Sequence, residues 1–151
     1  MEENDLILSS AQSWVLSMSE MALACSGAFA CEEARHLRAC HALLQSAPAS
    51  VLPWVDALPK LDRIEALLQA GAAESAALAL LGDRCGYMLS RGPMGEALAT
   101  IVLPGSTNEC TANGDTLALA IAAALAQALS ETCQVPASGR QAEHSPALRF
   151  N

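Results

Sequence analysis

Aromatic side chains are scarce in this sequence: two Trp, one Tyr and two Phe among 151 residues. A core built around large rings is therefore excluded. The chain instead has 31 alanines, and leucine packed against alanine is suited to helices in close contact. A chain of this length forms one domain that buries roughly 70% of the surface of its unfolded state. These features predict a single, mostly helical domain.

Basic side chains are also few. Lys and Arg number 8 against 16 Asp and Glu, which gives a formal net charge of -8. The densest basic pair, Arg35 and Arg38, lies beside Glu32 and Glu33. Such a field repels phosphate groups, so we expect binding neither to nucleic acid nor to an anionic membrane. A basic protein partner stays open, although the charge also serves simply to keep an apolar chain in solution.

No long apolar run is present. The most apolar stretch, Leu117 to Leu129, is shorter than the roughly 20 residues that cross a bilayer. The first residues include Glu2, Glu3 and Asp5, whereas a secretory signal begins with positive charge. We therefore expect a cytoplasmic protein.

Cys-x-x-Cys spacing is absent as well. With no sign of secretion, we interpret the cysteines as reduced thiols, most of them acting as small buried hydrophobic residues. They are Cys25, Cys31, Cys40, Cys85, Cys110 and Cys133.

The clearest periodic signal lies between Asp5 and Cys25. Apolar residues recur there at alternating spacings of four and three, which places them along one side of a helix with a serine-rich face opposite. These residues are Ile7, Ala11, Trp14, Met18, Met21 and Cys25. A second helix, 31–46, follows Ser26-Gly27 and carries Ala34, Leu37, His41 and Leu44 on one stripe. The pattern predicts a helical hairpin.

Prolines at 48, 53 and 59 then break the chain, and the apolar connector between them should lie on the core. A short helix after Pro59 ends at Gly71. The alanine content of residues 75–81 favours another helix. Residues 85–90 and 96–103 flank a turn rich in Gly and Pro, which predicts two antiparallel strands.

Residues 104–114 are predicted to form a polar loop, after which Asp115 or Thr116 caps a final helix that runs to about Thr132. The predicted fold is α+β and mostly helical, with about five helices around one antiparallel β-hairpin. The globular domain spans 1–133, and 134–151 is predicted to be a flexible tail.

Residues 61–131 resemble a family of small bacterial proteins with a helix, helix, hairpin, helix plan. The most specific part is the helix Asp62 to Gly71. The resemblance implies a bacterial origin and the α+β arrangement, and it brings no activity with it.

Potential metal ligands are densest between Cys31 and His41. Glu32, His36 and Cys40 are four apart on one helical face, and Glu33 with His36 repeats the Glu-x-x-His spacing of di-iron bundles. A second such motif is absent, and the neighbouring arginines can pair with the carboxylates. We therefore interpret the segment as a solvated polar helix, with neither metal nor cofactor.

Catalytic residues are not apparent. His36 with Cys40 is the only thiol and base pair at helical spacing, and no third group is evident. The loop before Asp115 precedes a helix N-terminus, where anions can bind, but it lacks a Gly-Lys-Ser/Thr ending and carries Glu109. Turn and capping chemistry explains this loop better.

The sequence therefore favours a non-catalytic protein-interaction module that binds itself, as a homo-oligomer, or another protein. The expected contact residues are on the last helix, which is apolar on several sides, together with the centre of the first helix. They are Leu117, Leu119, Ala122, Ala126 and Trp14. The serine face of the first helix is the alternative surface. The competing interpretation is that the last helix lies between the β-hairpin and the helical hairpin of the same chain, so that its several apolar sides are covered without a partner. A small-molecule or metal-binding regulator and an enzyme of unrecognised type remain open as other functions.

Overall fold

The computed structural model describes residues 2–133, with the side chains described from residue 10 onward. Five helices are present in this part of the chain: α1 (Glu2–Gly27), α2 (Glu33–Gln45), α3 (Leu61–Gln69), α4 (Ala73–Leu81) and α5 (Leu117–Thr132). Three strands lie between α4 and α5: β1 (Gly86–Arg91), β2 (Ala97–Val102) and β3 (Cys110–Gly114). Short 3-10 turns occur at Ala30–Glu32 and Val55–Ala57. The predicted tail lies outside the described residues.

The sheet is antiparallel, in the order β1-β2-β3. Its first two strands confirm the predicted hairpin, and the α+β fold class is confirmed with them. The third strand corrects the prediction of a loop up to residue 114. Cys110 pairs with Ile101 and Gly114 with Ala97, so β3 extends the hairpin along the whole of β2.

Helix α5 is the centre of the fold. It contacts the inner face of β2 and β3 on one side, while α1, α2 and α4 cover its other sides. Every residue from Ala118 to Ala126 is buried. The small alanine side chains of α5 let the backbones of the neighbouring helices and strands approach it closely from several directions. Large aromatic rings at these positions would not fit.

The two N-terminal helices pack on α5 as a hairpin. The predicted apolar side of α1 is confirmed where side chains are described, because Trp14, Met18 and Cys25 are buried. The indole Nε1 of Trp14 donates a hydrogen bond to the carbonyl oxygen of Leu43 at 2.8 Å. In α2 the buried residues are Leu37, Cys40, His41 and Leu44. In the part of the chain described, no helix combines the length and apolar character that a membrane span needs.

The start of α5 is fixed by two side chains. The Thr116 hydroxyl accepts a hydrogen bond from the backbone N–H of Leu119 at 3.2 Å, which confirms Thr116 as the N-cap. The carboxylate of Asp115 accepts from the backbone N–H of Ala30 at 2.6 Å. Asp115 thus connects the entry of the central helix to the turn after α1.

Replacing Gly114 with Ala is expected to lower the free energy of unfolding by about 1 to 3 kcal/mol. A Cβ at Gly114 would lie 2.6 Å from the backbone nitrogen of Ala120, and this backbone cannot move without shifting α5. Urea denaturation measures the change. Gly27→Ala is the control, because a Cβ there has no neighbour within 4 Å. Equal stability of the two variants would contradict the close approach of β3 and α5.

Candidate interaction surface

The residues that the sequence marked for contact with a partner lie inside the protein. Leu119, Ala122 and Ala126 are fully buried and Trp14 is 5% exposed, while Leu117 is half-buried. All five belong to the core or pack on it. They are closed to a partner in the folded chain, because neighbouring elements of the same chain cover the apolar sides of α5. A surface that binds a partner would therefore be formed by other residues.

The predicted ligand cluster on α2 does not converge on one point. Glu32 accepts a hydrogen bond from the backbone N–H of Phe29 at 2.9 Å and pairs with Arg35 at 2.6 Å. The Phe29 hydrogen bond, aided by the positive charge of Arg35, lowers the pKa of Glu32. Cys40 is fully buried, whereas His36 is half-exposed. Among the described residues, no three His, Cys, Asp or Glu side chains are grouped as a metal site.

The buried side chain of His41 has a structural role. The side chain is 3% exposed. Its Nε2 lies 2.7 Å from the backbone carbonyl of Pro59, and a carbonyl oxygen can only accept a hydrogen bond. Nε2 therefore donates, and His41 joins α2 to the end of the proline-containing connector. Leu52 of that connector is buried, and Trp54 packs on the core with the Arg84 guanidinium 5.7 Å from its ring centroid.

The six thiols are unpaired and mostly hidden. Four are buried, Cys133 is half-buried and Cys31 is exposed. Burial raises the pKa of Cys25 to about 11, and burial together with the nearby carboxylate of Glu131 raises that of Cys110 to about 11. Burial also raises the pKa of Cys40. Because the thiolate is the reactive species, these side chains are poor nucleophiles at neutral pH.

Native protein treated with iodoacetamide is expected to show one fast-reacting thiol, Cys31, and a much slower reaction of the buried ones. Exposure and thiolate content both limit alkylation, and they disfavour Cys25, Cys40, Cys85 and Cys110. Intact-mass spectrometry follows the number of adducts over time. In denaturant without reductant, all six thiols should react.

Cys31→Ser is the control for this measurement, and it should remove the fast phase alone. Fewer than six adducts in the unfolded, unreduced protein would contradict the assignment of free thiols. A fast phase that persists in Cys31→Ser would contradict the burial of the others.

A groove of about 640 Å³ lies between α1 and β3. Small polar side chains from α1, β3 and α5 line much of it, among them Ser19, Ser26, Thr111, Asn113, Gln127 and Ser130. The Ser26 hydroxyl lies 2.9 Å from the backbone carbonyl of Asn113 and 2.8 Å from its side-chain oxygen, so α1 is fixed to β3 at this end. The charged groups lining the groove are the carboxylates Glu96 and Glu131. Its lining includes neither a thiol nor a histidine.

Strand β1 is the most exposed part of the sheet. Its main contacts are with β2 alone, and five of its six residues are exposed. Tyr87 points to one face and Met88 to the other, with 52% and 64% of their surface exposed. Met94, in the turn that follows, is 90% exposed. β1 therefore has few contacts with the helices, although Leu89 packs on the core, and it presents Tyr87 and Met88 to solvent.

The outer edge of β1 also has backbone groups that bond to no other residue among those that the structure describes. The N–H of Gly92 donates to the carbonyl of Glu96 at 2.8 Å, which makes Gly92 and Glu96 a hydrogen-bonded pair. Such pairs alternate along an antiparallel ladder. Given the register of β1 with β2, the backbone groups of Gly86, Met88 and Ser90 bond to β2. Those of Tyr87, Leu89 and Arg91 point away from it.

Comparisons of the chain with protein-family models, with curated proteins and with solved structures find no match. The resemblance of residues 61–131 to small bacterial proteins thus rests on the pattern of the sequence alone.

Proposed function

We propose that this protein is a non-catalytic interaction module that associates with itself. The observation that carries the proposal is the edge of β1, where backbone groups that pair with no other described residue lie beside the exposed side chains of Tyr87 and Met88. An unpaired edge of this kind is a template for another strand. The strand has neither lysine nor proline, two residues that commonly protect such edges.

The chemistry of the interior agrees with a binding role. Of the candidate ligands near the start of α2, Glu32 is engaged in capping and an ion pair and Cys40 is buried. The thiols of Cys25 and Cys110, whose pKa is raised, are protonated at neutral pH. The charged groups that line the polar groove beside β3 are both carboxylates, Glu96 and Glu131. The exposed apolar area that supports a binding role is at β1 and the turn after it, where Tyr87, Met88 and Met94 are exposed.

Light scattering coupled to size-exclusion chromatography is expected to give a mass of about twice 15.6 kDa that falls towards the monomer on dilution. Added salt should leave the mass unchanged or raise it, because screening weakens the repulsion between two chains of charge -8. A mass of 15.6 kDa across the micromolar range would contradict self-association.

A further inference from the structure

We propose that β1 pairs antiparallel with β1 of a second copy, with Leu89 at the two-fold axis, so that the two sheets become continuous. This inference rests on the proposed self-association and specifies its surface and register. It begins from the N–H and C=O groups of Tyr87, Leu89 and Arg91, which all point to the same edge and bond to no other residue in the described part of the chain.

Symmetry restricts the register. A two-fold axis perpendicular to a sheet keeps each side chain on its own face of the sheet, and residues directly opposite each other share a face. Two neighbouring residues of β1 point to different faces, so they cannot lie opposite each other at the axis. The axis must therefore pass beside a residue that lies opposite its own copy. Centring on Leu89 places Tyr87 opposite Arg91 of the second copy, and all three outward residues form hydrogen-bonded pairs. This gives about six hydrogen bonds between the chains, whereas centring on Met88 or Ser90 leaves one outward residue without an outward partner.

The side chains fit the same register. On one face Leu89, which is half-buried against the core of its own chain, lies opposite Leu89 of the second copy. On the same face the Arg91 guanidinium lies beside the Tyr87 ring, where a cation is favoured. On the other face, Met88 lies opposite Ser90. β1 has one charged residue, Arg91, and no carboxylate. The negative charge of the chain is therefore carried elsewhere, and the pairing brings no like charges directly opposite each other.

The opposite edge of the sheet is less suited to this role. At β3 the backbone carbonyl of Asn113 already accepts a hydrogen bond from Ser26, and α1 lies alongside the strand. A second chain approaching β3 would have to displace this contact. The edge of β1 requires no such rearrangement, since β1 packs chiefly on β2.

A charge-rescue experiment tests the register. Tyr87→Lys places a lysine opposite Arg91 of the second copy and is expected to raise the dimer dissociation constant about tenfold or more, because the repulsive pair occurs twice in the dimer. Adding Arg91→Glu to this variant creates two lysine-glutamate pairs and should restore the constant to within about threefold of the parent. Within one chain these positions are four residues apart on an extended strand, about 13 Å, so they cannot pair.

Sedimentation equilibrium measures the constants, and circular dichroism checks that each variant is folded. Leu23→Lys, at an exposed site on α1, is the control and should leave the constant unchanged. Self-association without rescue by Arg91→Glu would overturn the Leu89-centred register. Self-association that responds to Leu23→Lys and not to Tyr87→Lys would overturn pairing at β1 while leaving the proposed function in place. A parent protein that is monomeric throughout would overturn both.

Discussion

Ala122→Glu is expected to leave little folded protein at 25 °C. Ala122 is fully buried in the centre of α5, where the sheet and other helices surround the helix. A carboxylate there has no cation to pair with and costs several kcal/mol, or is protonated at a similar cost. Its side chain also has to displace closely packed neighbours. The sum is comparable with the whole stability of a small domain.

Ala39→Glu is the matched control, because it makes the same change on the exposed side of α2. We expect it to melt within a few degrees of the parent. Far-UV circular dichroism and thermal melting distinguish the two variants. An Ala122→Glu protein that is folded and as stable as the control would mean that this side of α5 is open to solvent.

Trp14→Ala is expected to lower the free energy of unfolding by about 3 to 5 kcal/mol. Trp14 is 5% exposed, so its removal leaves a cavity between α1 and α2. It also removes the hydrogen bond to the carbonyl oxygen of Leu43. Denaturation in urea, followed by circular dichroism because Trp54 also fluoresces, gives the change directly.

Trp14→Phe separates the two contributions. It keeps much of the apolar volume and loses the indole N–H, so its cost should be clearly smaller than that of Trp14→Ala. If Trp14→Ala melted within a degree of the parent, the packing of α1 on α2 through this residue would be wrong.

The sequence predicts the helices and the hairpin well because their signals are local. The alternation of four and three residues along α1 identifies Trp14, Met18 and Cys25 as a buried side, and the cluster of Gly and Pro between residues 91 and 95 separates β1 from β2. Thr116 is recognisable as a cap because its hydroxyl acts on a backbone group three residues away. Each of these features depends on neighbours in the chain.

Strand β3 and the surroundings of α5 depend on distant contacts. In β3, buried Cys110 and Gly114 alternate with exposed Thr111 and Asn113, a period of two that is short and contains few strong strand formers. β3 is therefore stabilised mainly by its pairing with β2, which the local sequence does not show. For α5, periodicity shows that several sides are apolar but does not show what covers them. Three helices of the same chain cover sides that the sequence left available to a partner.

The candidate surface on β1 also combines a local feature with a distant one. The hairpin is predictable from local signals, but whether its first strand is covered by a helix depends on where the helices lie in the fold. Sequence patterns alone therefore do not identify Tyr87 and Met88 as surface residues. A strand with one buried face usually alternates apolar and polar residues. Tyr87-Met88-Leu89 lacks this alternation, and this is the one local sign that β1 is not such a strand.

The central position of α5 has a consequence for the order of folding. Helices α1, α2 and α4 and strands β2 and β3 all pack on a segment that begins at residue 117. A ribosome adds about 5 to 20 residues per second, so α1 and α2, which end at Gly27 and Gln45, wait several seconds without the surface they bury. The growing chain therefore exposes its apolar sides until α5 emerges. Nascent chains stopped before residue 117 should bind chaperones that recognise apolar segments, and release should coincide with the synthesis of α5.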